Sequence, residues 1–286
     1  MEDCGFKIAV IGMGIIGGSM AYALRGFRNA YIAGCDTNAE TRRKVIEKGA
    51  ADAVFENAAD AVENADVVVF CVYPELVPGI IDENRGHFKR GAVITDVCGV
   101  KSLLSEEILK VLPEGCEYVG GHPMAGRETD GFDSAVPELF GMCGYIVTPT
   151  AASTPEGIAL VREMAAYIGA TSITESTPEV HDSVIAYTSD LMHVSAAALC
   201  LDFNRGMNRA YTAGAFRDCT RIANINPELW SGLFLENREN LLLEIERLQT
   251  SIGRIKAAIE KNDRDELRLL LSEVRGNKLE MQKRMP

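Results

Sequence analysis

Three groups of residues in this chain have types and spacings that could do chemistry. The first is Gly12-Met13-Gly14-Ile15-Ile16-Gly17, which follows an apolar run and precedes a helical pattern. Glycines so spaced permit a tight turn, a close backbone approach to a pyrophosphate, and close packing of the next helix. The phosphates would meet the free N–H groups and positive dipole end of that helix. Asp36, at the end of the second apolar run, would accept hydrogen bonds from ribose hydroxyls and repel a 2′-phosphate. NAD is therefore expected over NADP, although Arg42 and Arg43 stand where they could take a phosphate. The second group is centred on His122, one of four histidines, in GGHPMAG (120–126). A histidine where a strand meets a Gly/Pro turn is held rigidly at an edge, and neutral imidazole is a competent base near pH 7. The third is FRDCTRIA (216–223), which sets Arg217 and Arg221 one helical turn apart. Paired guanidiniums suit a carboxylate, with salt bridging to Asp218 as the alternative for Arg217.

These groups need elements to hold them. Short Val/Ile-rich runs predict strands at Lys7–Ile11, Tyr31–Cys35, 66–72, 92–96, 117–120 and 145–148. Helical patterns lie between several of them, including 19–25, 37–48 and 102–112. Alternation of this kind implies a Rossmann-type, doubly wound parallel sheet with helices on both faces. Beyond Pro178 the pattern becomes helical, with helices expected at 181–201 and 213–223. Glu179 and Asp182 stand near the positive end of the first. Leu241, Ile245, Leu248, Ile252, Ile255 and Ile259 form a heptad seam, which serves either packing within its own domain or pairing of two subunits. The expected division is a dinucleotide-binding domain at 1–176 and an all-helical substrate-binding and dimerisation domain at 177–286.

Bulk properties exclude several classes. Apolar residues at 47% and charged residues at 24% are an ordinary soluble balance. A formal net charge of −12 argues against a nucleic-acid partner. Eight cysteines contain no CxxC pair and no Cys/His set with metal-ligand spacing, so free thiols in a reducing compartment and no metal are expected. The acidic N-terminus lacks the basic start of a signal peptide, and no apolar run approaches the roughly 20 residues that span a bilayer. A cytoplasmic protein with no membrane partner is the expectation.

A sheet of this type does not define a reaction. More specific is the order of the glycine loop, DVCGVK (96–101), GGHPMAG, HD…SDLMH (181–193), FRDCTRIA and NPELW…EN (226–237). In that order the chain resembles the prephenate and arogenate dehydrogenases of tyrosine biosynthesis over nearly its whole length. The resemblance implies NAD-dependent oxidative decarboxylation of prephenate, or of arogenate, by a homodimer joined through its C-terminal helices. It makes His122 the catalytic base, Arg221 the binder of a substrate carboxylate and His193 a substrate contact. Glu128 would order or gate the site, Ser189 would line it, and Val72, Pro74 and Asp96 would join the glycine loop around the cofactor. His181 would be structural or an interdomain contact. Two departures bear on the substrate. Many members have a serine at Gly99, so Cys98, a backbone group or water must replace it. Some relatives have a histidine at Asp190, where a carboxylate would meet the ammonium of arogenate or orient His193. No appended regulatory domain is expected after the helical half.

Two other readings compete. A β-hydroxyacid-type dehydrogenase would rely on a helical-domain lysine, and 181–221 contains none. An NAD-sensing regulator would keep the glycine loop but has no use for His122 and Arg221 together.

Overall fold

The computed structural model of the protein describes residues 5–127, 129–201, 206 and 209–284. Its first part alternates β1 (Lys7–Ile11), α1 (Ile15–Ala23), β2 (Tyr31–Cys35), α2 (Ala39–Glu47), β3 (Ala53–Phe55), α3 (Ala58–Val62), β4 (Val67–Phe70), α4 (Val77–Glu83), β5 (Val93–Asp96), α5 (Ser102–Val111) and β6 (Glu117–Pro123). Then follow β7 (Gly144–Pro149), α6 (Pro155–Tyr167) and β8 (Ser172–Glu175). The strands form one sheet in the order β3-β2-β1-β4-β5-β6-β7-β8. Order reverses between β1 and β4, which opens a crevice at their carboxyl ends, the place where such sheets bind ligands. Val10, Ile8, Val67 and Val69 of these central strands are buried and pack one face, while Ala9, Ile11, Val68 and Phe70 pack the other.

The sheet departs from the expected all-parallel form at one place. β6 and β7 are antiparallel, with His122 opposite Ile146 and Pro123 opposite Tyr145. Among the described residues the connection between these two strands forms 3₁₀ turns and no crossover helix, the usual device that brings the next strand back parallel. β6 also runs past Gly120, so His122 lies inside the strand and not after it. Beyond Tyr118 the register with β5 ends, so Pro123 occupies a stretch paired on the β7 side alone.

The next helices are α7 (Pro178–Ile185), a π-helical turn at Ala186–Asp190, and α8 (Leu191–Leu201), which together form the helix expected at 181–201. By length and composition this helix could cross a membrane, contrary to the expectation from apolar runs. Its His181, Asp182 and Asp190 are nevertheless buried and bonded to neighbouring elements of the same unit. α9 (Gly214–Thr220) and α10 (Pro227–Glu236) complete that unit. Compactness divides the chain between Asn237 and Arg238, and α7 joins the first unit by packing on β7 and α5. The second unit is a hairpin of α11 (Arg238–Glu260) and α12 (Arg264–Arg284). Asn262 turns it at φ 52°, and Asp263 caps α12 by accepting the Glu266 N–H (3.0 Å). The heptad seam is not covered along its length: Ile252 is 55% and Ile259 60% exposed.

Candidate active site

The glycine loop leaves β1 at the crevice. Gly12 has φ +91°, and a Cβ there would lie 2.6 Å from the Cys71 carbonyl oxygen. A Cβ on Gly17 would collide with the Gly12 carbonyl oxygen, whereas one on Gly14 would meet nothing within 4 Å. The loop is thus closed toward the sheet and open on its outer side, which gives a dinucleotide pyrophosphate its path to the start of α1 at Ile15 and Ile16. The Met13 side chain is buried against Gly34, so this residue offers only backbone. Asp36 braces the loop: Oδ2 accepts the Met13 N–H (3.0 Å) and Oδ1 the Asn38 N–H (2.8 Å). Arg42 donates to the Asp36 and Thr37 carbonyls (both 2.9 Å) and pairs with Glu56 (2.9 Å). Arg43 lies between Glu40 and Glu47. Both arginines that could have accepted a 2′-phosphate are committed to carboxylates. The crevice therefore fits NAD.

β4 delivers Val72 and Pro74 to the same edge, with Pro74 buried in a 3₁₀ turn. Asp96, from β5, lies below the surface and serves as scaffold. Its Oδ1 accepts from the Cys98 N–H (2.8 Å) and Lys101 Nζ (2.6 Å), and its Oδ2 from the Tyr118 hydroxyl (2.8 Å). Lys101 and Asp96 are both 0% exposed. The ammonium also donates to the Cys98 (2.7 Å) and Val100 (3.2 Å) carbonyls, which folds the 97–101 loop around it. The double glycine before His122 follows from this packing. A Cβ on Gly120 would press on Thr148 and the Lys101 stem, and one on Gly121 on Tyr145 and the Asp96 carbonyl.

His122 stands at the end of β6, partly exposed, with Nδ1 2.8 Å from His181 Nε2. His181 Nδ1 lies 2.7 Å from Asp182 Oδ1. Asp182 accepts the Lys101 N–H (2.9 Å) on Oδ1 and the Ser102 N–H (2.8 Å) on Oδ2. These N–H groups open α5, which has no cap from its own sequence. Asp182 therefore caps a different helix from the one that carries it. Burial, together with the Lys101 charge and the second histidine, pushes His122 well below 6.5, so it is neutral at physiological pH. Burial likewise lowers His181. Burial disfavours the Asp182 carboxylate, but the bonds from His181 and Ser102 outweigh it and hold the group below the usual range.

The π turn rotates the residues that follow it. His193 shares Nδ1 with the Ser189 carbonyl (2.9 Å), and its ring stacks on Trp230 at a centroid distance of 3.5 Å. Asp190 is buried and accepts from Asn237 Nδ2 (2.8 Å), which also donates to the Asp182 carbonyl (2.9 Å). The side chain expected to meet an ammonium or to orient His193 thus ties the π turn to the end of α10. Burial pushes Asp190 up to about 6 and Glu236 up to about 7. α9 stops at Thr220, and Arg221 opens a 3₁₀ turn packed on α8. Arg217 and Arg221 are therefore not carried on one regular helix as the spacing predicts; both are exposed. At Gly99, a Cβ would meet Leu233 Cδ2 at 3.4 Å, so an apolar side chain fills the space beside the missing serine. Glu128 lies outside the described residues. No group of His, Cys, Asp or Glu able to hold a metal occurs among the described residues. His181, Asp182, Lys101, Trp230 and Asn237 lie within the quoted motifs but received no catalytic or binding role from the sequence. The HD dipeptide was visible, but its partners lie some 60 to 80 positions away in sequence.

A glycine loop at the reversal of a mostly parallel sheet, facing a buried histidine network, defines a dinucleotide-dependent oxidoreductase. Residues 20–174 match the family model described as prephenate dehydrogenase, nucleotide-binding domain, and 177–273 the one described as prephenate dehydrogenase, dimerization domain. The chain belongs to the prephenate dehydrogenase family. It is 32% identical to a cyclohexadienyl dehydrogenase of Zymomonas mobilis, over 91% of this chain and 90% of that one. It resembles the structure of prephenate dehydrogenase from A. aeolicus in complex with hydroxyphenyl propionate and NAD+ at 29% identity and TM-score 0.86, covering 96% of this chain and 98% of that one. An arogenate dehydrogenase of Synechocystis has 28% identity and TM-score 0.81, covering 96% and 100%.

Proposed function

We propose that the protein is a cytoplasmic, NAD-dependent prephenate dehydrogenase of tyrosine biosynthesis, with 1–176 binding the cofactor and 177–286 supplying substrate contacts and the subunit interface. The observation that carries this reading is His122, hydrogen-bonded to His181 near the carboxyl end of β6, on the same edge of the sheet as the glycine loop. Prephenate has a C4 hydroxyl, a ring carboxylate and a side-chain carboxylate. Bound NAD supplies the acceptor for the hydride that leaves C4. His122 takes the hydroxyl proton as the C4–O bond becomes a carbonyl. The C1–carboxylate bond then breaks, carbon dioxide departs, its electron pair makes the ring aromatic, and the proton held by His122 returns to the C4 oxygen, giving 4-hydroxyphenylpyruvate. Aromatisation drives the step, so the chain's main tasks are orientation and proton acceptance. Arg221 is assigned to a substrate carboxylate, the stacked His193 and Trp230 with Ser189 to the ring pocket, and Glu128 to ordering the entrance.

Arogenate is the second reading, since an arogenate dehydrogenase is among the similar structures. Prephenate is favoured because Asp190 is turned to Asn237, and because burial raises Asp190 and Glu236 toward neutrality, which suits a dianion. Reduced-cofactor formation with each substrate and each dinucleotide tests this. Prephenate with NAD should be the fastest pair, and Asp36→Ser should narrow the gap to NADP by tenfold or so. Silence in all four mixtures from folded protein would refute the reading, and faster turnover of arogenate would reassign the substrate.

A homodimer follows from the same reading. Val180, Val184 and Leu199 in the first unit, and Ile252 and Ile259 in the second, are each more than half exposed, and each apolar set is one that a second copy would cover. Light scattering should give twice the chain mass at micromolar concentration; a monomer would exclude the dimer.

A further inference from the structure

His181 and Asp182 have no place in the reaction as written above, yet His181 is bonded to His122 and Asp182 to His181. We infer that Asp182 and His181 are positioning residues that fix the tautomer of His122, placing its proton on Nδ1 and leaving Nε2 as the base. The inference rests on the reading of His122 as proton acceptor.

The protons are fixed one by one, from the carboxylate outward. Asp182 receives two backbone N–H bonds, so it is an ionised acceptor with no proton to give. The third group at 2.7 Å, His181 Nδ1, must therefore be the donor. A neutral imidazole has a single N–H, and burial keeps His181 neutral. With its proton on Nδ1, His181 Nε2 can only accept. The 2.8 Å contact then requires His122 Nδ1–H to donate. His122 is neutral too, so Nε2 is left with a lone pair. When that nitrogen takes the substrate proton, the imidazolium keeps its Nδ1–H bond to a chain ending in a carboxylate, the logic of an oriented catalytic histidine. Gly99 gives this chain its particular importance here. Lacking a side chain and backed by Leu233, it offers no hydroxyl of its own.

Only four histidines are present, so ¹⁵N imidazole spectra of the whole protein resolve the tautomer directly. His122→Asn and His181→Phe spectra assign the signals. His122 should be the Nδ1–H form, with a pyridine-like Nε2. His181→Phe keeps ring bulk but removes the acceptor; kcat should fall on the order of 10²-fold or more, with KM and NAD affinity within a few-fold. His181→Gln returns an acceptor oxygen and should recover part of the loss. An Nε2–H form of His122 in the unmodified protein overturns the inference even if His181→Phe does not fold, and so does an unchanged kcat in that variant. Should His122→Asn itself retain turnover, the base assignment fails, a result distinct from failure of the tautomer lock.

Discussion

Replacing His122 by Asn is expected to lower kcat with prephenate by roughly 10²–10⁴-fold, the span of a lost general base, while leaving NAD affinity unchanged. The amide can still meet His181, so the network keeps a partner, and the glycine loop lies on other strands. The pH profile carries a second signature of the same group. Burial lowers the His122 value, so the base form persists on acidification below 6.5. In kcat/KM the acid limb of the unmodified enzyme should therefore lie below that of an ordinary imidazole and disappear in His122→Asn. Stopped-flow or steady-state reduction of NAD across pH 5 to 9 checks both statements. An acid limb above 6.5, or turnover within tenfold of the unmodified enzyme, would contradict the role given to His122.

The largest loss of stability is expected for Lys101→Met. The Lys101–Asp96 pair is wholly buried, and its ammonium donates to Asp96 and to the Cys98 and Val100 carbonyls of the 97–101 loop. Removing one member of such a pair strands the other charge, at a cost of about 3–5 kcal/mol. Asp96 would keep the Cys98 N–H and the Tyr118 hydroxyl, which is not enough to offset a lost cation. For a chain of this size the melting temperature should drop on the order of 10 °C. Asp96→Asn in the same chain removes the stranded charge, so the double variant should be more stable than Lys101→Met alone. Equilibrium denaturation of the single and double variants gives both numbers. A single variant as stable as the unmodified protein would mean that the pair contributes nothing.

Much of the fold could be read in the sequence because its strands are buried on both faces. Lys7–Ile11 and Tyr31–Cys35 are continuous apolar runs and form at those bounds. The two strands that the pattern missed, Ala53–Phe55 and Ser172–Glu175, are the two edges of the sheet. One is only three residues long and the other is largely exposed, so neither needs a long apolar run. The antiparallel β7 was hidden because direction depends on whether a crossover helix precedes the strand, not on the strand's own residues.

In the site, local chemistry was legible and long-range pairing was not. The glycine spacing, Asp36 and the punctuated His122 follow from what a turn, a phosphate and a fixed base demand of nearby residues. Sequence alone therefore determined the dinucleotide crevice, the helical second half and the family resemblance. Tertiary structure alone decided that Asp190 turns to Asn237, that Arg42 and Arg43 are taken up by carboxylates, and that His181 and Asp182 stand behind His122. A hydrogen bond depends on an approach of about 3 Å, and only the folded chain brings α7, α5 and the end of β6 within that distance.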